Sequence, residues 1–289
     1  MITRRTFLKG ATVGLASGGA MAQLLAEAAP ASPSARIRIG SCVIGLEQAK
    51  QAGLDGVEIG VGNAADQLRV ADPAVRQQYK EQMASTGRVI SSFMMGVLNS
   101  NPLASDPRAP AWLEQSIGAA KDLGAGVILV AFFGKGNLLD GGQLKPADVE
   151  VVVQRLKAAA PRAKEAGVIL AIENTLSAKQ NADILERIGH ASVRVYYDVG
   201  NSTRNGYDVP AEIRFLKDRI ACIHFKDGRN YLGEGPIQFE PITAAINAIG
   251  YQGWIVMETA NPSKDATADA NRNATFIRRL FGMPSTTAK

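Results

Sequence analysis

The chain has 289 residues, 46% hydrophobic and 20% charged, enough for one barrel-sized domain with a sizeable core and no need of a second. Its formal charge of +5 is small for this length, and without residues 1–28 it falls to +3, with 29 basic against 26 acidic residues. No run of Lys and Arg interleaved with aromatics is present to track phosphates, so a nucleic-acid partner is set aside.

The chain starts Thr3, Arg4, Arg5, Thr6, Phe7, Leu8, Lys9, followed by an apolar small-residue stretch at 11–25 and the triplet Ala26, Glu27, Ala28. Paired arginines followed by Phe, Leu and Lys have the look of a twin-arginine export signal. Residues 1–28 are therefore expected to be the signal, cut near Ala29, with the twin-arginine machinery delivering a folded protein to the periplasm or the outside. The glycine-interrupted stretch is short for a stable membrane span. Residues 29–35 read as a Pro/Ser/Ala linker, 36–283 as the folded domain and 284–289 as a tail.

Apolar strand-like runs are predicted at 37–42, 56–60, 89–95, 126–133, 168–174, 193–199, 220–225 and 253–258. Helical periodicity falls between them at 46–52, 73–85, 112–123, 147–166, 181–188, 211–217 and 241–249, with 268–280 closing the chain. Strands alternating with helices imply a parallel sheet, because each parallel return needs a long crossover. Eight units favour a closed (β/α)8 TIM barrel. No G-x-G-x-x-G follows the first strand, and the Gly-rich stretch 134–142 lacks the Gly-Lys-Ser/Thr ending of a phosphate loop. That stretch reads either as a mobile cover over the barrel mouth or as a plain surface loop. Cys42 and Cys222 fall on the first and seventh strands. Those strands are not neighbours, so two buried thiols are expected even in a compartment that permits a disulfide.

In a closed barrel the C-terminal strand ends converge, so polar residues distant in sequence meet there. The fifth strand ends on Glu173, the sixth on Asp198, the seventh reaches His224 and the eighth Glu258, each after apolar residues. Three carboxylates in such a place repel one another and lose hydration unless a cation joins them. One divalent ion resolves the conflict. Carboxylates with one imidazole favour a hard or borderline ion, Mn²⁺ first, then Mg²⁺ or Co²⁺, with Zn²⁺ behind them in the absence of thiolates.

The strand-end series Val57-Glu58-Ile59, Ile172-Glu173-Asn174, Asp198-Val199-Gly200-Asn201, His224-Phe225-Lys226-Asp227, Gly233-Glu234-Gly235 and Met257-Glu258-Thr259 resembles the sugar-phosphate isomerase/epimerase branch of the xylose-isomerase-like barrels. The layout is similar to that of ketose 3-epimerases, ribulose-phosphate 3-epimerases and hydroxypyruvate isomerases. The resemblance implies one metal on Glu173, Asp198, His224 and Glu258, a sugar substrate, and a homodimer or homotetramer. Two departures concern histidine, of which the chain has only His190 and His224. The related DNA-cleaving barrels hold three zinc ions through several histidines, which this chain cannot supply. Relatives that carry a histidine after the third or fourth strand differ from this chain, which has Phe93-Met94-Met95-Gly96 and Phe132-Phe133-Gly134 there, making that side of the mouth apolar. His190, in a helix-to-strand loop, is expected at the bottom of the barrel.

A metal chelating a carbonyl oxygen and its neighbouring hydroxyl acidifies the carbon-bound proton and stabilises the resulting enediolate. Glu173 and Glu258 are expected as the acid/base pair that removes and returns that proton. Return on the opposite face gives epimerisation, and return to the adjacent carbon gives isomerisation. Glu58 is expected at a substrate hydroxyl or as an extra base, and Lys226, inward-facing by strand alternation, at the enediolate. Asn201 and Arg229 are weaker candidates for substrate contact. An unphosphorylated sugar or keto-sugar is preferred, since phosphorylated sugars are mainly cytoplasmic. Two rival readings stand beside this one: a metal-dependent lyase or hydrolase acting on an oxidised sugar, and a noncatalytic periplasmic sugar-binding protein.

Overall fold

The computed structural model describes residues 37–284. The expected export signal, the linker and all but the first residue of the expected tail lie outside the described residues.

The strands are β1 (Ile37–Ser41), β2 (Gly56–Gly60), β3 (Val89–Met95), β4 (Val127–Ala131), β5 (Leu139–Asp140), β6 (Gln143–Leu144), β7 (Ile169–Glu173), β8 (Val193–Asp198), β9 (Ile220–Phe225) and β10 (Gly253–Met257). Eight of them close a parallel barrel in the order β1-β10-β9-β8-β7-β4-β3-β2, and β5 and β6 form a separate antiparallel hairpin. The (β/α)8 architecture read from the sequence is the one observed. The largest difference in strand bounds is at β4, expected over 126–133. The Gly-rich stretch contains a 3₁₀ turn, Gly134–Gly136, and the first hairpin strand.

The helices are α1 (Leu46–Gln51), α2 (Pro73–Thr86), α3 (Ala109–Leu123), α4 (Pro146–Ala166), α5 (Ala178–Ile188), α6 (Val199–Arg204), α7 (Val209–Leu216), α8 (Phe239–Ala248) and α9 (Ala266–Leu280). Their starts are chemically marked. Asp72 accepts the Ala74 N–H with Pro73 at the first helical position, and Ser177 with Gln180 makes a reciprocal capping box on α5, which satisfies backbone donors that have no partner inside the helix. The short α6 was not expected. Among the described residues, no helix is long and apolar enough to cross a membrane.

Strand alternation divides the core into two layers. Outward residues such as Ile39, Phe93, Ile128, Leu170 and Ile255 pack against the helices. Inward residues Leu129, Ala131, Ala171, Tyr196, Cys222, Trp254 and Val256 fill the barrel. Trp254 is accommodated because β2 opens with Gly56: a Cβ there would lie 2.3 Å from the Val89 carbonyl oxygen and 2.9 Å from the indole. Cys42 and Cys222 are free thiols; Cys222 is buried as expected, whereas Cys42, just past the end of β1, is half-buried.

Candidate metal centre

Parallel register carries four donors to one level. Asp198, the last residue of β8, is paired with His224 of β9, and His224 with Val256 of β10, two residues before Glu258. Glu173 closes β7. His224 Nδ1 lies 3.3 Å from Glu173 Oε1, 3.5 Å from Glu258 Oε2 and 3.7 Å from Asp198 Oδ2. Donor atoms from Glu173, Asp198, His224 and Glu258 all lie within 4.8 Å of one another. All but Glu258 are buried.

The orientation of Asp198 follows from its position at a strand-to-helix junction. Its Oδ1 caps α6 by accepting the Asn201 N–H at 2.7 Å, leaving Oδ2 aimed at the cluster. That oxygen is buried and accepts no well-directed hydrogen bond, although Lys226 Nζ approaches to 2.8 Å as an ion pair. The same ammonium lies 2.7 Å from Glu258 Oε2. The Lys226 stem passes where the Cβ of residue 200 would be, 2.5 Å from Lys226 Cγ, so Gly200 makes its route available.

Electrostatics bear the strain of so much buried acid. Burial pushes the Glu173 carboxyl up to about 7, against the opposing pull of His224. Burial also works against charge on Asp198, yet the adjacent His224 imidazole and the charge of Lys226 prevail and hold its pKa well below the usual carboxylate range. His224 is disfavoured as a cation by burial, but the charges of Glu58 and Glu173 outweigh that and raise its pKa well above the usual value. Lys226 is raised similarly by Asp198 and Glu258, against burial. Four carboxylates, counting Glu58, thus face one lysine and one imidazole. A buried oxygen without a directed donor and a hard O₃N donor set fit a divalent cation. A second grouping, Cys42, Glu58 and His224, also falls within that range, but its Glu58 carboxylate is already bonded to His224 Nε2 and its thiol is one that burial pushes up to about 12.

The remaining candidates separate. Lys226 faces inward as expected. The Glu58 side chain is fully buried behind His224, where Oε1 meets Nε2 at 3.1 Å and Oε2 accepts hydrogen bonds from Ser92 at 2.7 Å and Tyr196 at 2.9 Å. Asn201 is buried beneath Asp198, its side-chain oxygen taken by Arg204. Arg229 is exposed in the loop after β9, with no bond to the cluster among the described residues. His190 lies at the opposite end of the barrel, before β8, and accepts the Ser192 N–H. Ser92 and Tyr196 were missed from sequence; both precede the mouth on inward strand positions. Asp227, fully buried, accepts from the Gly233, Gly235 and Ile237 amides and fastens the rim turn. Met94 and Phe133 join Cys42 against the interior cluster, and a cavity of about 310 Å³ lined by Gly60, Met94, Gly96 and Asn101 adjoins the ends of β2 and β3.

A closed barrel with an acid–imidazole cluster at the C-terminal ends of its strands has the plan of a TIM-barrel enzyme site. The chain belongs to the xylose isomerase-like TIM barrel family, whose model matches residues 46–280. A protein of Escherichia coli (strain K12) that carries the provisional name L-ribulose-5-phosphate 3-epimerase SgbU is 29% identical over 222 residues, 72% of this chain and 76% of that protein. An inosose dehydratase of Lacticaseibacillus casei is 32% identical over 96 residues, 25% of this chain and 32% of the relative. The fold is shared with a solved L-ribulose 3-epimerase, TM-score 0.71 at 23% identity, covering 85% of this chain and 95% of that one.

Proposed function

We propose that the protein is a divalent-metal-dependent sugar epimerase or isomerase that moves a proton next to a carbonyl, acting on an unphosphorylated sugar or keto-sugar. The observation that carries the proposal is the convergence of Glu173, Asp198, Glu258 and His224 Nδ1, with a buried Asp198 oxygen lacking a directed donor. These four residues would hold the ion, Mn²⁺ first. Bound there, it supplies Lewis-acid polarisation of a sugar carbonyl.

The chain's own residues do the proton work. Glu173, buried at the end of β7 with Oε1 3.3 Å from His224 Nδ1, is the carboxylate placed to take a carbon-bound proton and give it back. Glu258, with 39% of its side chain exposed, is the partner open to the substrate space. Two carboxylates in unlike surroundings suit opposite halves of one proton transfer. The Lys226 ammonium stabilises negative charge developing on a substrate oxygen beside it. The apolar wall of Cys42, Met94 and Phe133 excludes water.

The epimerase name of the E. coli relative, which spans most of both chains, supports the reaction class. The phosphate in that name does not transfer readily, because the export signal read at residues 1–28 favours a substrate met outside the cytoplasm. A dehydratase reading is favoured by the match to inosose dehydratase, which covers a quarter of the chain. The test is to incubate the Mn²⁺-loaded protein in D₂O with a panel of free ketoses and, separately, phosphorylated pentuloses, following the sugars by NMR and mass. Deuterium at one carbon with an epimer or isomer of otherwise unchanged mass is the expected result for a free ketose. Loss of water from the product would favour the dehydratase; no exchange and no turnover with any sugar would overturn both.

A further inference from the structure

We propose that Glu58 is the positioning residue of the metal-binding histidine: held by Ser92 and Tyr196, its carboxylate accepts the His224 Nε2–H and leaves Nδ1 as the nitrogen that binds the cation. The inference rests on the four-ligand reading above and assigns the group behind it.

Both ring nitrogens of His224 face carboxylates, Nδ1 towards Glu173 at 3.3 Å and Nε2 towards Glu58 at 3.1 Å. A neutral imidazole has one N–H and one lone pair, so something must decide which side keeps the proton. Glu173 cannot decide it while serving as a metal ligand, because its oxygen belongs to the cation. Glu58 can. It sits on the ring edge away from the cluster, and its second oxygen is committed to two hydroxyl donors, Ser92 at 2.7 Å and Tyr196 at 2.9 Å. The Tyr196 ring also packs on the imidazole, centroids 4.4 Å apart and tilted by 58°. Glu58, Ser92, Tyr196 and His224 are all buried, so no water competes for these bonds.

The backbone is bent to make this contact. The β2–β3 register shifts between Val57 and Glu58, and the β8–β9 register between Val195 and Tyr196. Local ladder irregularities re-aim side chains, and here one falls immediately before each of two residues that meet across the barrel, 138 positions apart in sequence. A carboxylate so placed fixes the tautomer and ring angle and raises ligand basicity, and removing such a partner typically costs about 10- to 100-fold in metal affinity.

The test uses the full chain with Co²⁺ affinity measured by chelator competition, and imidazole ¹⁵N NMR of the Zn²⁺-loaded protein, where only His190 and His224 contribute. Wild type should show Nε2–H on His224 with the metal on Nδ1. Glu58→Leu should weaken Co²⁺ binding about 10- to 100-fold and lose the single tautomer, while Glu58→Gln, which keeps an acceptor oxygen, should recover part of both. Should Glu58→Leu fail to fold by circular dichroism, Glu58→Gln and Tyr196→Phe decide, each expected to bind more weakly than wild type. Unchanged affinity and tautomer in the folded variants would overturn this proposal alone. A wild type that binds no Co²⁺ would overturn the metal reading and this proposal with it.

Discussion

Replacing Lys226 with Met separates a structural counter-ion from the metal it adjoins. Lys226 Nζ stands 2.8 Å from Asp198 Oδ2 and 2.7 Å from Glu258 Oε2. Asp198 is buried, so removing its cation leaves an uncompensated charge, a loss of about 3 to 5 kcal/mol for a fully buried pair. The Lys226 side chain is itself 18% exposed, which points to about 3. The Glu258 half is screened, its side chain being 39% exposed, and adds less than about 1 kcal/mol. For a domain of this size about 3 kcal/mol corresponds to a fall in Tm of roughly 6–12 °C. Saturating Mn²⁺ should remove most of that deficit, and Lys226→Met should bind Mn²⁺ more tightly than wild type because one positive charge has left the site. Thermal melts with and without Mn²⁺, with calorimetric titration, measure both. An unchanged metal-free Tm, or weaker Mn²⁺ binding in the variant, would refute the reasoning.

Glu173→Gln, which removes a metal ligand and the proposed base together, should keep the fold yet lower the rate of solvent deuterium exchange into a sugar substrate by at least about 10²- to 10⁴-fold, the usual worth of a general base alone; exchange at the wild-type rate would remove Glu173 from both roles. Asp227→Ala leaves three rim amides, Gly233, Gly235 and Ile237, without their acceptor; Ile237 alone is buried, and at about 1–3 kcal/mol for a buried unsatisfied group the Tm should fall by several degrees with no change in metal stoichiometry. The metal-free protein should lose stability as pH rises from about 4.5 to about 7. Glu173 is held up to about 7 from an ordinary 4.5, so the fold binds more protons than the unfolded chain across that window. His224, also raised, continues the loss above its ordinary value, and added Mn²⁺ should flatten the slope; urea melts across this range check the sign.

The barrel and its four converging residues were legible because both follow from periodicity. Alternating strand and helix runs imply a parallel closed sheet, and a closed sheet brings the ends at Glu173, Asp198, His224 and Glu258 together wherever they lie in the chain. The role of Lys226 as an inward group followed from the same alternation. Glu58 was not legible in that way. A carboxylate near a strand end reads the same whether it faces the mouth or the back of a histidine, and the register shifts that aim Glu58 and Tyr196 at each other leave no mark in a two-residue period. Helix α6 was hidden for a related reason: Val199–Arg204 has no apolar stripe, and the helix begins on Asp198, whose capping oxygen also points its partner atom at the site. Asn201 was read as a substrate contact because it follows that motif, whereas its place is under the cap.

The central claim, a divalent ion held by Glu173, Asp198, His224 and Glu258, is tested most directly by elemental mass spectrometry of the purified protein alongside Glu173→Gln and His224→Ala. About one divalent ion per wild-type chain, lost or strongly depleted in both variants, is the predicted result. A wild type that holds no divalent ion even after equilibration with Mn²⁺, or variants that retain it in full, would contradict the account.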